Sequence, residues 1–199
     1  MNFLVLDTET TGLPILLKQN GWTKLPTYAH YSDLKYYDSS RLVQFSWIVH
    51  SKKASFPIIN DFIVYQDDIK EIPEAAYNVH KINKQKTLLE GMEIDYVFDT
   101  FLSHLKLVDV IVAHNISFDI NVILSECYRH GRKDVIEEIL KKNIECTMDI
   151  GTKYYKYNTQ RISLARLHKK LFGKNFENAH DALADTIACR DCYVKMIEN

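Results

Sequence analysis

Two acids, Asp7 and Glu9, follow directly on the apolar run Phe3 to Leu6 in the opening stretch MNFLVLDTETTG. Carboxylates at the tip of a core strand cost stability unless something positive meets them. Side chains two apart on a strand share a face, so Asp7 and Glu9 can converge on one point while Thr8 points away; two carboxylates aimed together make a cation site. Gly12 then permits a tight turn after Thr10 and Thr11. A fragment of the form D-x-E is too short to carry an assignment alone, and two later stretches offer it company. HNISFD places Asp119 at the start of a helix, and in HDALAD His180 precedes Asp185 around the start of the last helix. At that spacing His180 can lie on the entering turn and Asp185 on the next, both looking into one cleft.

The elements that must position these residues are legible from periodicity. Strands are expected at about Phe3 to Asp7, Arg41 to His50 and Ile58 to Tyr65, the last after a turn around Phe56 and Pro57. A fourth is expected within VDVIVAHN and a fifth near IECTMDI. Helical spacing runs from Ile94 to Leu105, from Ile116 to Cys127, from about Asp134 to Lys142 with Glu137 as a capping signal, from Ser163 to Gly173, and from about Ala179 to near Ile197. Strands first, then helices alternating with strands, imply an α/β domain with a mixed sheet and helices against its faces. Residues 1–199 read as a single domain, interrupted by one long irregular stretch from Pro14 to Ser40 that contains Trp22 and several tyrosines.

Composition narrows the function classes. A formal net charge of −1 leaves no global field to hold nucleic acid, so any such binding must come from local patches or bound metal. No apolar run is long enough for a membrane span, and the start lacks a basic region and cleavage site, so a soluble cytoplasmic protein with no membrane partner is expected. The four cysteines, one C-x-x-C pair among them, are expected to be reduced and structural.

DTETTG, HNISFD and HDALAD, in this order and approximate separation, resemble the three motifs of the DEDD exonucleases, histidine subclass, the family of the proofreading epsilon subunit of bacterial DNA polymerase III. RLVQFSW, IPEAAYNVHKI and CTMDI resemble its connecting segments, so the likeness spans most of the chain. Lys81 stands where the family pattern has glycine, and the Pro14 to Ser40 loop is longer than in compact bacterial members. The resemblance implies a ribonuclease H-like fold, a five-stranded mixed sheet with its second strand antiparallel. It implies that Asp7 bridges two divalent ions, that Glu9 and Asp185 complete the first ion's shell, that Asp119 holds the second, and that His180 is the general base. It also implies that the backbone of the Thr8, Thr10, Thr11 and Gly12 turn, with Leu13, contacts the terminal nucleotide. Hard oxygen ligands favour Mg²⁺ or Mn²⁺ over Zn²⁺. His114, Asn115 and Ser117 are read as structural, the last two as helix caps.

TKYYKYNTQR interleaves lysines with Tyr154, Tyr155 and Tyr157, and the next helix adds Arg166, Lys169 and Lys170. Aromatics beside cations suit a single-strand groove, and a solvated connection is the alternative. The activity that the resemblance implies is 3′-to-5′ hydrolysis of single-stranded or frayed DNA ends, releasing nucleoside monophosphates, in proofreading with a DNA polymerase partner or in free-standing repair. The rivals are an RNA-trimming exoribonuclease and a non-catalytic nucleic-acid-binding module; the presence of all five motif residues weighs against the latter.

Overall fold

The structure, a computed structural model, describes residues 2–17, 27–51, 57–156 and 161–198. Trp22 of the long loop, Phe56 and Tyr157 lie outside the described residues.

β1 (Phe3–Thr10) is the axis of a six-stranded sheet of order β4-β3-β2-β1-β5-β6. It pairs antiparallel with β2 (Leu42–His50), which pairs antiparallel with β3 (Ile58–Tyr65). On its other side it runs parallel to β5 (Val110–Ala113), which is parallel to β6 (Asn143–Cys146). The sheet is thus mixed, with β2 reversed as expected. The sixth strand is the two-residue β4 (Met92–Glu93) beside the end of β3, too short to show any alternation in sequence. The expected fifth strand is shorter than IECTMDI: it ends at Cys146, and α6 (Thr147–Tyr154) takes over at once.

β1 has no polar alternation because both its faces are covered. Leu4 and Leu6 enter one core with Phe45, Trp47 and the apolar sides of α3 (Ile94–Leu105), α4 (Ser117–Arg129) and α5 (Lys133–Leu140). Phe3 and Val5 enter the other, with α7 (Leu164–Phe172) and α8 (Ala182–Ile197). Cys189 and Cys192, the C-x-x-C pair, belong to this second core, and all four cysteines are free. Burial pushes the Cys189 thiol up and takes that of Cys192 to about 12, so both are inert packing residues.

Two short helices, α1 (Glu74–His80) and α2 (Lys84–Glu90), carry too few turns to show a period. Lys81, the departure from the family's glycine, adopts the left-handed conformation that glycine favours, with φ 60°. The turn is therefore kept at a cost of about 1–2 kcal/mol. It is supported by the Lys81 ammonium donating to the Asn78 carbonyl and by His80, whose Nδ1 accepts from the Ile82 N–H while Nε2 donates to the Thr10 carbonyl. The described part of the long loop is pinned by Tyr37, fully buried, whose hydroxyl donates to the Ala29 carbonyl.

Candidate active site

The site follows from the parity of β1. Phe3 and Val5 face the α7–α8 layer, and Asp7 and Glu9 continue that face toward Asp185 in the first turn of α8. One carboxylate oxygen from each of Asp7, Glu9 and Asp185 lies within 4.8 Å of the others. Leu4 and Leu6 face the opposite layer, and Thr8 follows them to Asp119 in the first turn of α4. The Asp119 Oδ1 accepts from the Thr8 N–H at 3.1 Å and from its hydroxyl at 2.8 Å. One sequence expectation changes here: the acids lie within the strand, which runs on to Thr10, not at its tip. Thr8 points away from Asp7 and Glu9 as expected, and on that side it holds the fourth acid through its N–H and hydroxyl. Past Glu9 the register shifts, leaving Val43 as the extra residue on β2, a bulge of the kind found beside active sites.

His180 and Asp185 come from one turn. His180 is exposed, with φ 71°, and its N–H donates to Asp185 Oδ2 at 2.9 Å; Asn178 is also left-handed, at φ 56°. Asp181 caps α8 through the Ala184 N–H. Gln44, buried on β2 opposite Glu9, ties this turn to the sheet: its Oε1 accepts from the Ala182 N–H, and its Nε2 donates to Asp61 at 2.9 Å and Asp181 at 3.5 Å. Gln44 is a site residue that the motif reading missed. The signal available for it was an amide inside an otherwise apolar strand, which must find partners for all its polar atoms.

Four carboxylates in this space cannot all be ionised without compensation. Burial, then Asp119, Asp185 and Glu9, hold the Asp7 carboxyl far above the usual range. Burial and Asp185 raise Glu9 to about 8, and burial raises Asp119 to about 7 against the pull of the Thr8 hydroxyl. Asp185 is raised by burial, opposed by the His180 N–H. Among the described residues no lysine or arginine pairs with any of the four. Oxygen donors at these spacings, short of positive charge, fit a hard divalent cation.

The sign of the pH dependence follows. Each carboxyl binds its proton more tightly folded than unfolded, so its contribution is fully present below the ordinary carboxylate range and is lost as pH rises through about 7 for Asp119 and about 8 for Glu9. The chelated protein should therefore lose melting temperature between pH 6 and pH 8. Mg²⁺ should restore more at pH 8 than at pH 6, by several degrees at roughly 2–4 °C per kcal/mol. Thermal melts with chelator and with Mg²⁺ at the two pH values check this; a metal effect larger at pH 6 would refute it.

Two open cavities meet at the acids. One, of about 620 Å³, holds Asp7, Glu9, Asp119, His180 and Asp185, with walls from Ser163 to Ala165 and from Phe176. The other, of about 930 Å³, runs from Glu9 past Thr10, Thr11, Gly12 and Leu13 to α1 and includes Asp38 and Ser39 of the long loop. Leu13, 76% exposed, and Phe118 line both. The side chains of Thr10 and Thr11 are spent on the turn, donating to the carbonyls of Gly12 and Ser39. Gly12 is required by close approach, since a Cβ there would stand 2.8 Å from the Ser39 carbonyl oxygen. Tyr154 and Tyr155 do not line either cavity; Tyr155 packs against the α7–α8 core. Phe118 and Phe176 are cleft residues that sequence reading missed, because a single aromatic on a helix or loop has no pattern to distinguish it from core.

His114 is structural. Its Nε2 donates to the Ile162 carbonyl, its Nδ1 meets the Thr147 hydroxyl at 2.9 Å, and burial lowers it to about 4, so it stays neutral. Neither Asn115 nor Ser117 caps α4: Ile116 stands at the cap position without a side-chain bond, and Asn115 instead takes the left-handed turn before it.

A family model described as exonuclease, RNase_T, matches residues 4–193, which include all four acids and His180. The chain belongs to the RNase_T exonuclease family. Among solved structures, the RNase_T domain is similar to E. coli exonuclease I in complex with a dT13 oligonucleotide, with TM-score 0.69 and 20% identity over 100% of this chain and 41% of that one. It is similar also to E. coli exonuclease I with a dA16 oligonucleotide, with TM-score 0.68 and 19% identity over 99% and 40%. A 3′-exonuclease in a structure of 3′-end-specific recognition of histone mRNA stem-loop matches with TM-score 0.66 and 12% identity, over 99% and 63%. At these identities the likeness is one of fold, and it bears out the ribonuclease H-like architecture. The chain spans about two fifths of the length of the exonuclease I chains it matches. No curated protein matches it. No helix among the described residues is long and apolar enough to cross a membrane.

Proposed function

We propose that this exonuclease domain hydrolyses the 3′-terminal phosphodiester of single-stranded or frayed DNA and releases nucleoside 5′-monophosphates, as a DEDD enzyme of the histidine subclass akin to the polymerase III epsilon subunit. The convergence of Asp7, Glu9 and Asp185 oxygens within 4.8 Å, with Asp119 fixed beside them, carries this reading. Two Mg²⁺ or Mn²⁺ ions, when bound, supply Lewis-acid relief of phosphate charge and a water acidified for attack. Asp7, central among the acids, would help to hold both ions, Glu9 and Asp185 one of them, and Asp119 the other. Thr8 orients Asp119, and Gln44 and Asp181 orient the turn that carries Asp185 and His180. His180, exposed at the rim, takes the proton of the attacking water. Leu13 and the turn from Thr8 to Gly12 pack against the terminal nucleotide, a role supported by their lining of the cavities beside the acids.

An RNA substrate is the second reading, supported by the similarity to the 3′-exonuclease of the histone mRNA stem-loop structure. Use in proofreading beside a polymerase, or in free-standing repair, is compatible with either. The test is matched 5′-labelled DNA and RNA single strands with Mg²⁺, Mn²⁺ or chelator. A metal-dependent ladder shortening from the 3′ end is expected, faster on DNA. Faster RNA shortening would replace the substrate, and no shortening with retained binding would leave a binding module.

A further inference from the structure

The four acids repel the polymer the domain is proposed to cut, so attraction has to come from elsewhere on the chain. Its cations are unevenly placed. Between Ile150 and Phe176 there are seven lysines and arginines and no acid, in a chain whose net charge is −1. Arg161 lies before α7 and pairs with Asp149. α7 buries Leu164, Leu167 and His168 and turns Arg166, Lys169 and Lys170 outward, at the three- and four-residue spacings that place side chains on one helix face. The Lys170 ammonium lies 4.9 Å from the centre of the Tyr155 ring, and Tyr155 meets Tyr154 edge-on at 5.1 Å. Tyr154 is 45% exposed, and the neighbouring Lys153 and Lys156 are exposed too. The basic face of α7 and the end of α6 are thus one surface, cations and rings together.

That surface begins at the cleft. Ser163, Leu164 and Ala165, the first turn of α7, form a wall of the cavity that holds the acids, and Arg166 is the next residue. From there α7 leads away for roughly 13 Å at about 1.5 Å per residue. We propose that the exposed face of α7 with the end of α6 is the track on which a single-stranded nucleic acid lies behind its 3′ nucleotide. The proposal rests on the exonuclease reading for its direction. Arg166, Lys169 and Lys170 meet successive phosphates, and Tyr154 offers a stacking face that any base can use, so the track is indifferent to sequence. This also accounts for why Tyr154 and Tyr155 stand outside the cleft.

The experiment is equilibrium binding of 5′-labelled dT20 and dT4 to the full chain, with chelator present so that no strand is cut, across a salt series. The variant carries Arg166→Gln, Lys169→Gln and Lys170→Gln; the control carries Lys106→Gln, Lys133→Gln and Lys141→Gln, exposed residues on the α3–α5 side of the sheet. Each phosphate neutralised contributes about 0.7 to the log–log salt slope for single strands, so the variant's slope for dT20 should fall by about 2. Its affinity at 0.1 M salt should fall on the order of 10- to 100-fold. The change for dT4 should be smaller, and the control should match the parent. An unchanged slope, or an equal fall in the control, overturns the track. If the triple variant melts below the parent, Lys169→Glu alone is scored, with a slope change of about 0.7 required. The ladder assay with Mg²⁺ is run on the parent, so failure of catalysis and failure of the track are read from different measurements.

Discussion

Replacing Asp7 with asparagine should abolish strand shortening while making the metal-free protein more stable. The two effects have one cause. Asp7 stands among Glu9, Asp185 and Asp119, and burial together with those three charges holds its carboxyl far above the usual range. Asparagine keeps the shape and has no ionisable group to bury among the other acids, so the cost of protonating or charging Asp7 on folding is gone and the chelated variant should melt several degrees higher at pH 8. The same change removes the carboxylate assigned to both ions. A metal contributes several kcal/mol of transition-state charge stabilisation, so kcat should fall on the order of 10³-fold or more. Rates over a range of Mg²⁺ and Mn²⁺, with melts in chelator, measure both. Activity within tenfold of the parent would remove Asp7 from the metal site, and an unchanged melt would remove the repulsion argument.

His180 is the second large effect, and its backbone dictates the substitution. At φ 71° an alanine would be strained, whereas glycine adopts that conformation freely and leaves room where the ring was. His180→Gly should therefore melt no lower than the parent, and divalent-cation stabilisation should be retained because the carboxylates are untouched. With a positioned base worth about 10²- to 10⁴-fold, kcat should drop by that amount with little change in KM. The ring is exposed at the rim, so added imidazole should restore part of the rate in the glycine variant. Loss of cation stabilisation in the same variant would make His180 a structural member of the turn, not the base.

The site was legible in sequence to the extent that it obeys strand parity. Asp7 and Glu9 share a face because they are two apart, and the same rule sends Thr8 to the side of Leu4 and Leu6, where α4 brings Asp119. Parity gives the threonine its face but not its partner, which is set by a helix distant in sequence. β3 and α3 were readable end to end, β3 from a β-branched and aromatic run following a proline turn and α3 from a full run of helical period. α1, α2 and β4 were not, being two turns or two residues long. The end of β1 was misplaced because its last three residues, Thr8 to Thr10, are polar yet paired, Thr8 with Phe45 and Glu9 with Gln44. Polarity there reports the cleft, not the end of pairing. Phe118 and Phe176 depend on tertiary placement alone, with no local pattern to distinguish them from ordinary core or surface residues, whereas Gln44 left only the mark of an amide in an apolar strand.

The bonds that complete the site join residues far apart along the chain, Thr8 with Asp119 across 111 positions and Gln44 with Asp181 across 137. Contacts of such separation are the slow ones to form, because the loop they close must lose its freedom before they repay it. During synthesis, β1 and β2 leave the ribosome long before α8 exists, and at roughly 5–20 residues per second the interval lasts on the order of ten seconds or more. Through that interval Asp7 and Glu9 lack Asp185, and the turn bearing His180 has no anchor. The acid cluster is therefore complete only once α8 has docked on the first strands, so the proposed metal site is a property of the finished fold and of no shorter part of it.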